Sequence, residues 1–456
     1  MFTRIQYAAT VLLMAVGFAG LSASYGDGSF PPTMDSKARD QVLEWVIETV
    51  SAKYVDPEMA QKLADLVAAR WQDGAYAGLD DTEDFLYAIE QDLRSVSNDK
   101  HVGLWVERPE DALADDLDYT PADENYVAHL HRTNFGYKRV EILPGNIAYL
   151  RIDEFAHSEL GGPATVAVMN AIGHASTVII DLRWNGGGAG MVGTVAGYFF
   201  TEPTLLNAGW DRDTGKTAQV WTPEYLPGPT LADVPLYVLI SGQTFSAAEA
   251  FAYSLKHLGR ATVVGTRSKG GAHGVSFYRL MLENMAVAMM VPTWKPVNPV
   301  TGGSWEGVGV APDIEATVGT ALEVAYNVAV DGLLETAADD ETRSRLSWAR
   351  EEFTASQHPT VLSSTLLQEY TGAYGNRSFV AGEDNVLFYQ PESGSRYMLS
   401  PLGNDEFKVE GFEGRRFRFE RDERGKIYRV LSLKADGTSA THERSTVQPA
   451  APLAPG

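Results

Sequence analysis

Cysteine is absent from the 456 residues. Neither a disulfide nor a lipid-carrying cysteine can therefore anchor the chain, and stability has to come from burial. Positive charge is scarce: 37 Lys and Arg stand against 60 Asp and Glu, a net charge of −23. That balance argues against nucleic acid or an anionic membrane as the main partner, because both need a basic face. The apolar stretch Ala8–Leu21 falls short of the ~20 residues that span a bilayer comfortably. With Arg4 ahead of it and Ser22-Ala23-Ser24 behind, residues 1–24 read as a signal peptide. The expectation is an exported protein, periplasmic or extracellular, with no membrane span once that segment is removed. There is no internal repeat. The run Gly186-Gly187-Gly188 lacks the lysine of a P-loop and the spacing of a dinucleotide fingerprint. No cofactor and no metal are expected.

What is present is a 44% hydrophobic content, enough for more than one packed domain. Three amphipathic helical patterns, within Asp35–Ala52, Pro57–Trp71 and Asp81–Val96, predict a small N-terminal bundle over residues 35–107. Glu107–Asn134 is acidic and weakly periodic and reads as a connector. From Phe135 strands and helices alternate: a hairpin turn at Gly145-Asn146, strands at Ile147–Ile152, Thr177–Leu182, Leu236–Ile240 and Ala261–Val264, and helices between them. This α/β core runs over residues 134–335, with closing helices to about 354. Short aromatic-rich strands then predict a small β domain over 366–444, and residues 445–456, rich in Pro and Ala, a disordered tail.

The stretch Leu236–Gly274 organises the core. The strand Leu236–Ile240 passes through the turn Ser241–Thr244 into a helix marked by Ala248, Phe251, Ala252, Leu255 and Leu258. Ser246 sits where strand hands over to helix, so its hydroxyl and the free first-turn amides point into one space. A serine there can be a nucleophile whose oxyanion is held by the Ala247 amide. It can equally be a helix cap, since Ser246-Ala247-Ala248-Glu249 also has the spacing of a capping box. His101, in a turn before a strand, reads as a solvated turn residue or as a base. Glu306, alone among loop glycines, reads as a solvated carboxylate or as a functional one. Glycines after a strand offer bare backbone amides, which an oxyanion hole needs.

Four motifs in one order resemble the S41 family of serine proteases. They are Asp99-Lys100-His101, Ile180–Gly188 (IDLRWNGGG), Thr244–Glu249 (TFSAAE), and Asn298-Pro299-Val300 with Trp305–Val310. Asn134–Ile152 is similar to the branch that contains interphotoreceptor retinoid-binding protein. The resemblance covers roughly residues 40–335 and implies a crotonase- or ClpP-like α/β core acting on peptide or unfolded-protein substrates. It implies Ser246 as nucleophile, His101 as base and Glu306 acting by charge, as in the tricorn-like arrangement. Amides of Gly187, Gly188 and Ala247 would form the oxyanion hole. C-terminal-processing proteases instead use a lysine 25 residues after the serine. Here that position is Gly271, Lys269 lies two residues earlier, and no room exists for an inserted PDZ domain between His101 and Asn134. Lys269 and His273 stay open as alternative bases. A homo-oligomer is also left open. The competing reading is a non-catalytic carrier of retinoid or fatty-acid-like ligands on the same fold.

Overall fold

The computed structural model describes residues 33–109, 112 and 124–445. The expected signal peptide, and the tail beyond Ser445, lie outside the described residues.

Helices α1 (Ser36–Lys53), α2 (Pro57–Gln72) and α3 (Thr82–Ser97) come first. Each begins on an aspartate (Asp35, Asp56, Asp81) whose carboxylate accepts first-turn amides that have no partner within the helix. Next come β1 (Gly103–Glu107), α4 (Glu124–Thr133), β2 (Tyr137–Leu143), β3 (Ile147–Ile152), α5 (Ser158–Ala171), β4 (Thr177–Asp181) and α6 (Met191–Gly197). The chain continues through β5 (Leu205–Asp211), β6 (Lys216–Trp221), β7 (Leu236–Ile240), α7 (Ala247–His257), β8 (Thr262–Gly265), β9 (Gly274–Met281), β10 (Ala286–Val297) and β11 (Ile314–Glu315). The expected connector before Asn134 is corrected in part. Tyr126 and Leu130, four residues apart, bury one face of α4, which a two-residue apolar pattern had not marked as a helix.

The strands form two sheets in this part of the chain. One has the order β11-β8-β7-β4-β3-β2, with β4, β7, β8 and β11 parallel. Its central strands are buried along their length, which is why Thr177–Asp181 reads as a continuous apolar run. The other sheet has the order β1-β10-β5-β6, with β9 also on β10. The N-terminal helices do not close a core of their own. Val46, Leu63, Phe85 and Ile89 pack in one cluster with Val287, Met289 and Val291 of β10. The turn between α3 and β1 is thereby tied to the α/β core.

By compactness the chain divides into two units. One holds the described residues to Ile142 together with Ala148–Ala325, and the other holds Leu143–Ile147 and the described residues from Tyr326. Helix α8 (Ala321–Thr336) crosses that division, and α9 (Asp340–Gln357) and α10 (Ser364–Tyr370) belong to the second unit. There β12 (Gly372–Tyr374) to β19 (Ser439–Glu443) run antiparallel in sequence order. A bridge between Tyr374 and Arg444 joins the two ends into a barrel-like sheet. Its centre is aromatic: Phe379 meets Tyr374, Phe417 and Phe419 edge to face at 4.9–5.4 Å. The α/β core, helical N-terminal region and small C-terminal β domain are the fold class that the sequence predicts.

Candidate active site

In a parallel sheet, functional loops collect at the carboxyl ends of the strands. Here the loops after β4 and β7 meet and are stitched together. Thr244 Oγ1 donates to Leu182 O at 2.7 Å, and Phe245 N–H donates to Asn185 O at 3.0 Å. Ser246 follows at the N-terminus of α7, with φ 53° and ψ −117°. An ordinary cap serine is extended. A non-glycine residue at this φ is strained by ~1–3 kcal/mol and persists only where its surroundings hold it. The glutamate half of the capping box does this, since Ser246 N–H donates to Glu249 Oε2 at 2.9 Å. The same buried carboxylate accepts from Ser268 Oγ and from the amides of Gly270 (2.7 Å) and Gly271 (2.9 Å). Burial pushes the Glu249 pKa up to about 7 against the pull of these donors.

His101 reaches the same point from the α3–β1 turn, with Nε2 3.2 Å from Ser246 Oγ. Its ring stacks on Phe245, centroids 4.6 Å apart at 24°. Gly271 makes this possible. A Cβ there would lie 2.1 Å from the Phe245 ring and 2.8 Å from His101 Cε1. The position that carries the lysine in a serine–lysine dyad is thus backbone alone, and the imidazole fills the adjoining space. Lys269 Nζ rests over the Phe245 ring, 4.7 Å from its centroid, and is not bonded to Ser246. Ser246 and His101 are both fully buried.

Behind the imidazole lies a buried charge cluster. Asp99 Oδ1 accepts from His101 N–H at 2.9 Å and lies 3.7 Å from His101 Nδ1. Asp99 Oδ2 accepts from Tyr54 OH at 3.1 Å and pairs with His273 Nδ1 at 2.6 Å. Burial works to raise the Asp99 pKa, but the neighbouring His101 and His273 imidazoles outweigh it and hold the carboxyl well below the usual range. For His273 burial is likewise outweighed by Asp99, and its pKa rises. Asp99 therefore bonds the His101 backbone and gives its closest side-chain pairing to His273. Glu306 Oε2 accepts from the Ala272 and His273 amides at 2.5 and 3.2 Å and lies 3.7 Å from His273 Nδ1. Trp305 Nε1 donates to Gly271 O at 2.9 Å, which fastens the Glu306 loop to the 268–273 segment. Asp99, His101 and Glu306 each place one donor atom within 4.8 Å of the others, the spacing of a metal-holding group.

The glycine loop is held by Asn185, whose Nδ2 donates to Ile152 O and whose Oδ1 accepts from Gly187 N–H at 2.8 Å. Phe155 N–H donates to Gly187 O, and Ala189 N–H to Phe155 O. A Cβ on Gly188, at φ 128°, would sit 2.0 Å from Phe155 O, so only glycine fits. Of the three amides expected in the oxyanion hole, that of Gly187 is occupied by Asn185. The amides of Gly188 and Ala247 take no part in these bonds.

The expected residues Ser246, His101 and Glu306 thus converge, and His273 joins them through Asp99. Sequence reasoning missed Asn185, Tyr54, Phe245 and the second role of Glu249. Only Glu249 carried a local signal, its spacing from Ser246. Two family models match the chain: peptidase family S41 over residues 146–316, and the N-terminal domain of S41 peptidases in eukaryotic IRBP over residues 36–133. The tricorn protease of Thermoplasma volcanium is 29% identical over 218 residues, 48% of this chain and 19% of that protein. This chain therefore matches about a fifth of its curated relative's length. Among solved structures, a Streptococcus agalactiae lipoprotein is 14% identical (TM-score 0.44, 67% of this chain, 99% of that one). A tricorn protease is also 14% identical (TM-score 0.44, 66% of this chain, 37% of that one). Matched in order by both models, across the turn that carries His101 and the loops that carry Gly188 and Ser246, the chain belongs to peptidase family S41.

Proposed function

We propose that the protein is an exported serine peptidase, and the observation that carries this is the 3.2 Å approach of His101 Nε2 to Ser246 Oγ. His101 Nε2 takes the hydroxyl proton as Oγ attacks a peptide carbonyl carbon, and returns it to the leaving amine. Water, activated by the same nitrogen, then cleaves the acyl ester. The amides of Gly188 and Ala247 hold the oxyanion, a contribution of ~3–4 kcal/mol per donor in comparable sites. Glu306 favours the imidazolium by its charge. Peptides or unfolded proteins are the substrates, as the family membership and the tricorn protease match support. Export rests on residues 1–24. Among the described residues no helix is long and apolar enough to cross a membrane.

A fluorophosphonate probe tests the reading. Wild type should be labelled at Ser246 and should cleave unfolded protein, while Ser246→Ala should do neither. An unlabelled wild type that co-purifies with one apolar ligand per chain would establish the carrier reading instead.

A further inference from the structure

We propose that Asp99, His101 and Glu306 form a zinc-binding site behind the base, through which Zn²⁺ reversibly inhibits the peptidase. The inhibition rests on the catalytic reading above; the binding does not. Among the described residues, His101 Nδ1 and Glu306 Oε1 are buried side-chain atoms without a hydrogen-bond partner. Such atoms are costly to bury and mark a place where a partner belongs. Nε2 faces Ser246, so Nδ1 is the nitrogen His101 has left to offer.

Both carboxylates are prepared in the same way. Glu306 Oε2 is fixed by two backbone amides, and Asp99 Oδ2 by Tyr54 and His273. Asp99 Oδ1, which accepts one amide, lies 3.7 Å from Nδ1, and one ligand atom from each of Asp99, His101 and Glu306 falls within 4.8 Å of the other two. Anchoring one oxygen while the other is turned to the ion is how outer partners orient metal ligands. Bonds of ~2.0–2.2 Å to one imidazole and two carboxylates require the group to draw in slightly, leaving a fourth position for water. An imidazole with only two carboxylates selects zinc over magnesium or calcium, which demand more oxygens. The sequence gives no hint of this, because its expectation was no metal and the three ligands lie in two distant segments.

The chemical consequence follows from the tautomer. A neutral imidazole has one lone-pair nitrogen. When zinc takes the Nδ1 lone pair, the ring proton moves through solvent to Nε2, which then donates and cannot accept the Ser246 proton. No bond in the protein breaks, and removal of zinc restores the base.

The test uses the full chain carrying Ser246→Ala, titrated with zinc chloride by calorimetry, with ¹⁵N-histidine NMR on the same sample. One zinc per chain is expected, shifting His101 Nδ1 and placing the proton on Nε2. Glu306→Gln should weaken binding about tenfold or more, and millimolar magnesium should not compete. In wild type, zinc should slow fluorophosphonate labelling and EDTA should restore it. No saturable zinc binding, or an unmoved His101 Nδ1 resonance, overturns the proposal, as does undiminished binding in folded Glu306→Gln. Zinc binding as expected in a protein never labelled at Ser246 would remove the peptidase reading and leave the site standing.

Discussion

Glu249 shows how one side chain can set a site without touching substrate. Its carboxylate accepts from Ser246 N–H, Ser268 O–H and two glycine amides, and so fixes the Ser246 backbone and the 268–271 loop together. Its pKa is raised from 4.5 to about 7 by burial, against those bonds. A carboxyl whose pKa rises on folding stabilises the folded state while protonated. That contribution is complete below pH 4.5 and is lost as pH climbs through about 7, a swing of ~3 kcal/mol. Glu249→Gln cannot titrate. Denaturation of both proteins between pH 4.5 and 8 should show wild type losing stability relative to the variant over that window; parallel curves would contradict the assignment. The amide also turns donors toward donors, so turnover should fall about a hundredfold through displacement of Ser246. The spacing of Ser246 and Glu249 was legible in sequence as a capping box. The carboxylate's other partners, 19 to 22 residues on, depend on tertiary folding and were not.

Among the elements, the strand–turn–helix of β7 and α7 was legible because its apolar run and its three-four spacing are unbroken. The hairpin of β5 and β6 was not. Lys216–Trp221 is exposed or half-exposed at every position, so burial imprints no clear alternation on it. Nor could the sequence show that β1 pairs with β10, 179 to 187 residues away, although that pairing and the helical cluster on β10 carry His101 to the core. The short segment at Gly271 leaves no side chain where a serine–lysine dyad has its lysine. A side chain there meets Phe245 and His101 at 2.1 and 2.8 Å, and both rings can shift, so Gly271→Ala should fold and yet displace the imidazole. The expected outcome is an unchanged circular dichroism spectrum with turnover lowered by about a hundredfold or more. Normal activity in that variant would mean that His101 is not held where the chemistry needs it.

At the scale of the whole molecule, the aromatic strands from Gly372 form a unit with its own core. Arg416, fully buried, holds α9 to it. Its guanidinium bonds Glu351, Glu352 and Glu406 and lies 4.1 Å over the Trp348 ring. Composition announced the β domain but not this arginine, because a cation among many surface charges carries no mark of burial. Removing one partner of a buried ionic group costs ~3–5 kcal/mol. Arg416→Ala should therefore lower the melting of the second unit in calorimetry while labelling at Ser246 proceeds at the wild-type rate; loss of labelling would show that the chemistry needs this unit intact. The roles proposed for Ser246 as nucleophile and His101 as base are tested by the turnover of three folded variants. His101→Ala should fall by about three to four orders of magnitude, while Lys269→Ala and His273→Ala stay within about tenfold of wild type. Near-normal turnover in His101→Ala, beside an inactive Lys269→Ala or His273→Ala, would contradict it.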